Sequence, residues 1–148
     1  MIARTLVIGV GNPGREDDGL GPAAATAIAG LRLPNIAIHD PYQLAIEDAL
    51  DIAENDVVWF IDATLRGHAP FRVTPVFPAP EIGFTSHVLS PPAVLAIARD
   101  YLGATPRAYQ LAIRGYSFTL AEDLTPRAAR NLGHAVRALG ARLRGDAG

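Results

Sequence analysis

Three places along the chain combine residue types that do chemistry. Two adjacent carboxylates, Asp17 and Asp18, follow a glycine-rich loop that leaves the apolar run Thr5–Val10 (TLVIGV). Asp62 closes a second apolar run, VVWFIDA (Val57–Ala63), and His87 sits in FTSHVLSPP (Phe84–Pro92). Two carboxylates and one imidazole make a hard-to-borderline donor set suited to zinc, nickel, iron or manganese. Three protein ligands leave positions open for water or for ligands brought by a partner. Each residue also has a plainer role. Asp17 and Asp18 favour the positive end of a following helix, although one acid serves that purpose and two neighbours repel. A strand-end aspartate is often a turn or cap residue, but no helix follows Asp62 closely. His87 alone would be a surface residue; its address beside the two acids gives it weight. Among the other histidines, His68 is a rival ligand, His39 reads as a turn residue, and His134 falls on the exposed face of the last helix. Arg15, Arg66 and Arg114 could orient a partner's carboxylate or backbone, with solvated surface the simpler role for each.

The same loop admits a second chemistry. Gly9, Gly11 and Gly14 spell G-x-G-x-x-G after a strand, the pattern of a dinucleotide-binding turn, and Asp40 stands where a ribose-binding acid is expected about 20 residues on. A small Rossmann-like dinucleotide-binding protein is therefore the alternative. Against it, Pro13 removes an N–H from the loop, and Asp17 and Asp18 place negative charge where a pyrophosphate would lie. A chain of 148 residues also leaves little room for a separate substrate region. A binding module whose acids are all structural is a third possibility, disfavoured by their clustering.

These residues need a scaffold that brings them together. The composition, 49% hydrophobic and 19% charged with net charge −2, suits a globular domain and gives no basic surplus for nucleic acid. Absence of cysteine excludes disulfides, thiolate catalysis and cysteine-based metal sites. No window approaches the ~20 apolar residues of a membrane span, so a soluble cytoplasmic protein is expected. Strands are expected at Thr5–Val10, Asn35–His39, Val57–Ala63, Phe71–Phe77 and Tyr109–Ile113, the fourth an edge or antiparallel strand because of Pro75. Helices are expected over about Asp18–Leu31, Tyr42–Ala53 and Ser90–Leu102, and after Thr125 as N-cap, where Leu132, Val136, Leu139 and Leu143 form an apolar stripe. Alternating strands and helices imply an α/β fold, a mostly parallel sheet with helices on both faces. Ligands bind such sheets at the carboxyl ends of the strands, where the Gly11–Gly19 loop, Asp62 and His87 all map.

The set resembles one known family, the hydrogenase maturation proteases. The resemblance runs through GVGNPGREDDGLG, VVWFIDA, SHVLSP and IRGYSFTLAEDLTP, in order over nearly the whole chain. It implies a single domain over residues 1–148, a three-layer α/β/α sandwich with a twisted sheet. It implies an endopeptidase that trims the C-terminal extension of a nickel–iron hydrogenase large-subunit precursor. Asp18, Asp62 and His87 would contact nickel, supplied by the substrate and replaceable by zinc or cadmium. Gly11, Asn12 and Gly19 would form the loop along which an extended peptide approaches. Asp17, Asp18 or Asp62 would act as general base. A monomer is expected, with the precursor as partner and neither nucleic acid nor membrane involved.

Overall fold

A computed structural model describes residues 3–81 and 89–147. His87 lies outside the described residues. Five strands, β1 (Thr5–Gly9), β2 (Ile36–His39), β3 (Val57–Thr64), β4 (Phe71–Pro75) and β5 (Arg107–Arg114), form one sheet in the order β2-β1-β3-β5-β4. The first, second, third and fifth run parallel, and β4 pairs antiparallel with β5 at the edge. The strand expected to be an edge is one, and Pro75 closes its ladder opposite Tyr109, where a missing donor costs little.

Helices α1 (Leu20–Gly30), α2 (Asp48–Ala53), α3 (Pro91–Leu102) and α4 (Pro126–Ala147) cover both faces. Alternate residues of the buried strands point to opposite layers. Val7, Val57, Trp59 and Ile61 pack with α1 and α4 through Leu20, Ile28, Leu139 and Leu143. Leu6, Ile8, Val58 and Phe60 pack with α2 and α3 through Ile52, Val94 and Leu95. The result is the expected three-layer α/β/α sandwich. Each fully buried side chain of this size contributes about 1.5–3 kcal/mol, and Trp59 also stacks on Tyr109 with ring centroids 4.8 Å apart.

Local signals set most helix ends. Ser90 caps α3, its Oγ accepting from Ala93 N at 3.3 Å, with Pro91 in first position. Gly103 ends that helix with φ 65°. Two expectations shift. The first helix divides into a 3-10 turn, Glu16–Gly19, followed by α1. The second begins at Asp48 rather than Tyr42. Leu44 is pulled into the core, 3% exposed, and its carbonyl accepts from Leu89 N. Asp48 Oδ2 then accepts from Ala45 N at 2.8 Å and starts the helix.

Between β1 and its neighbours the connections diverge: α1 leads to β2 on one side, and the next crossover leads to β3 on the other. The crevice beyond the ends of β1 and β3 is therefore the switch point where open α/β sheets bind ligands. Among the described residues no helix is long and apolar enough to cross a membrane.

Candidate active site

The loop after β1 is shaped by close backbone approach. Gly11 has φ 145°, and a Cβ there would lie 2.0 Å from the Asp18 carbonyl oxygen. On the flank, a Cβ on Gly21 would lie 2.2 Å from the Val10 carbonyl oxygen. Helix α1 can therefore press its first turn against the end of β1 only without side chains there. Every backbone N–H from Val10 to Asp18, Pro13 having none, meets an acceptor within the chain. Asn12 N donates to Asp18 Oδ2 at 2.9 Å, and Gly14 N to Asn12 Oδ1 at 2.8 Å. Asp18's own carboxylate takes the Asn12 amide and the other loop amides are likewise engaged, which leaves the dinucleotide alternative without its row of free amides.

Three consecutive acids, Glu16, Asp17 and Asp18, take different directions. Asp17, expected to share the catalytic centre with Asp18, does not face the crevice, and this corrects the sequence reading. It is fully buried and accepts from Tyr116 N at 2.7 Å, Ser117 N at 3.2 Å, Thr125 N at 2.8 Å and Thr125 Oγ1 at 2.7 Å. Burial alone would raise its pKa, but the hydrogen bonds from Thr125, Tyr116 and Ser117 outweigh it and hold the carboxyl below its ordinary range. Glu16 accepts from Ser117 Oγ at 2.7 Å and from the Thr119 hydroxyl and N–H. The two acids latch the 115–125 segment to the first loop. Because Thr125 also caps α4 through Ala128 N, Asp17 anchors the start of that helix.

Only Asp18 of the three turns toward the crevice. There it joins Asp62 in a cavity of about 460 Å³ at the ends of β1 and β3, walled by Tyr42, Leu44, Phe60 and Leu89. Gly11 lines it as well. Asn12 braces the turn beneath Asp18, and Gly19 packs behind the loop against Pro13 rather than in the wall. Asp62 Oδ1 accepts from its neighbour Ala63 N at 2.8 Å. Desolvation, offset in part by that hydrogen bond and reinforced by the charge of Asp18, pushes the Asp62 pKa up to about 6. Glu81 adds a third carboxylate, and among the described lining residues there is no basic side chain. Such a crevice gains electrostatically from a cation and repels an anion. His68, the rival ligand, is exposed and is not among those lining residues, and His134 is exposed on α4 as expected.

Fold and crevice together define an open α/β sheet with an acid-lined switch point. No family model matches the chain, and no curated protein matches it in sequence. Solved structures match it in fold. A nickel–iron hydrogenase maturation protease, HycI from Thermococcus kodakarensis KOD1, superimposes with TM-score 0.75 at 20% identity, covering 97% of this chain and 94% of that one. The hydrogenase maturating endopeptidase HybD from E. coli gives TM-score 0.74 at 22% identity, covering 95% and 92%. A hydrogenase 3 maturation protease gives 0.65 at 22% identity, covering 99% and 92%. The chain has the fold of the hydrogenase maturation proteases over nearly its full length.

Proposed function

We propose that this chain is an endopeptidase that removes a C-terminal extension from a hydrogenase large-subunit precursor, with the precursor's nickel as the recognition element. The observation that carries this reading is the pairing of Asp18 and Asp62 at the switch point, in a crevice whose charged lining side chains, among the described residues, are all acidic, within a fold shared with the maturation proteases HycI and HybD. Asp62 is costly to ionise where it stands, and a cation between the two acids relieves that cost. A partner that brings the cation therefore docks better than one that lacks it. This favours nickel as part of the substrate, with Asp18, Asp62 and His87 as the chain's contacts to it.

Peptide hydrolysis adds water across the C–N bond. A carboxylate takes a proton from the attacking water, and the leaving amine receives one. A metal ion held by Asp18, Asp62 and His87 would supply Lewis-acid character to the carbonyl or to the water. Asp18 is held in place by Asn12 N and Asp62 by Ala63 N, so neither must reorganise to meet the substrate. The chain has no cysteine, so no thioester intermediate forms on the enzyme.

The test is incubation of a nickel-loaded large-subunit precursor with the wild type and with Asp18→Asn, Asp62→Asn and His87→Ala. Wild type releases a C-terminal fragment; each variant keeps its circular dichroism spectrum and releases none. Unimpaired cleavage by the aspartate variants would defeat the proposal.

A further inference from the structure

Outside the crevice, among the described residues, one other place brings together three metal-ligating side chains: His39, Asp48 and Asp51. We propose that these residues form a second, independent divalent-cation site, zinc-type in its donors, that clips the end of β2 to α2. His39 is the last residue of β2; Asp48 opens α2 and Asp51 lies on the same helix face one turn on. One ligand atom from each lies within 4.8 Å of the other two, and His39 Nδ1 is 3.4 Å from Asp51 Oδ2. A tetrahedral ion sits about 2.0–2.2 Å from nitrogen and oxygen ligands, which places ligand pairs about 3.3–3.5 Å apart. The His39–Asp51 spacing already fits. Asp48 uses Oδ2 to accept from Ala45 N at 2.8 Å, which holds its carboxylate in place and leaves its other oxygen to offer to the ion.

The local charges favour a cation. Asp48 and Asp51 stand at i and i+3 on one helix face, where like charges destabilise. Among the described residues the one arginine within salt-bridge distance of an acid is Arg99, beside Asp100, so no arginine offsets the two acids. A neutral imidazole contributes a nitrogen lone pair and no charge. All three residues are half-buried, so losing their hydration costs little and water fills the remaining coordination position. The site matters to the crevice because residues 40–47, held between His39 and Asp48, include Tyr42, Gln43 and Leu44 of its wall. A bound ion would brace that wall. None of this depends on the peptidase reading.

Zinc chloride titrated by calorimetry into Asp18→Asn/Asp62→Asn/His87→Ala, which removes the crevice ligands, tests the site alone. The result expected is binding of one equivalent. Adding His39→Ala and Asp51→Asn lowers affinity about tenfold or more, since even outer-shell changes cost this much, while adding His134→Ala changes nothing. No binding to the crevice variant, or binding indifferent to His39 and Asp51, would overturn the site. If the combined variants do not fold, the wild type serves by nuclear magnetic resonance. Saturating zinc must shift or broaden the His39 ring signals, and an unmoved ring overturns the proposal.

Discussion

Replacing Asp62 by asparagine should stabilise the protein, although it removes a residue placed at the centre of the reaction. Burial and the neighbouring charge of Asp18 raise the Asp62 pKa from 3.8 to about 6. The folded state thus holds this proton more tightly than the unfolded state does. Asp62 therefore adds stability that is fully present below about pH 4, and this stability is lost as pH rises through about 6. A gap of about two pH units corresponds at 1.36 kcal/mol each to about 3 kcal/mol. Partial exposure and relaxation of the crevice reduce this to about 1–2 kcal/mol. Asparagine keeps an oxygen for the Ala63 N–H and carries no charge. Asp62→Asn should therefore exceed wild type by about 1–2 kcal/mol at pH 8, or about 2–8 °C in melting temperature for a chain of this size. The two proteins should converge near pH 4. Urea denaturation at both pH values, with chelator present, measures it. An asparagine variant equal to or weaker than wild type at pH 8 would refute the electrostatic picture of the crevice.

Other outcomes follow from the same geometry. Asp18→Asn removes the smaller of the two causes that raise Asp62, so the Asp62 pKa should fall in a carboxyl-carbon magnetic resonance titration yet stay above its ordinary value, because burial persists. Asp17→Ala strands four donors of the 115–125 segment and should cost about 3–5 kcal/mol, seen in denaturant unfolding. The depressed Asp17 pKa also means that the stability it contributes is lost as pH falls below about 4, a loss visible as an acid transition that the Asp17 variant lacks. Gly11→Ala drives a Cβ into the Asp18 carbonyl; it should lower stability by about 1–3 kcal/mol and displace the Asp18 loop, with loss of processing. NAD at millimolar concentration should leave the melting temperature unchanged, because the amides of the first loop are already occupied.

The sequence carried the layers of this fold because they follow from local pattern. The unbroken apolar runs at Thr5–Val10 and Val57–Ala63 read as strands buried on both faces, and Ser90–Pro91 and Thr125–Pro126 announced two helix starts. The address of Asp18 and Asp62 followed from topology alone. What local pattern could not reveal was the division of labour in Glu16-Asp17-Asp18. The partners of Asp17 lie about a hundred residues away, at Tyr116, Ser117 and Thr125, so adjacency in sequence hid opposite orientations in space. The late segment IRGYSFTLAEDLTP had a resemblance but no physical role until its amides met those acids. The start of α2 was placed too early because Leu44 fits a helical stripe equally well as an inserted core residue. The convergence of His39 with Asp48 and Asp51 was likewise invisible, since it depends on how the 40–47 connection folds back.

The central claim is that this acid-lined crevice acts on a nickel-bearing precursor. Its most direct test is the intact mass of a hydrogenase large-subunit precursor, nickel-loaded or nickel-free, after incubation with the wild-type protein. The nickel-loaded form should lose a C-terminal fragment while the nickel-free form keeps its full mass. An unchanged mass for the loaded precursor, or equal trimming of both forms, would contradict the claim.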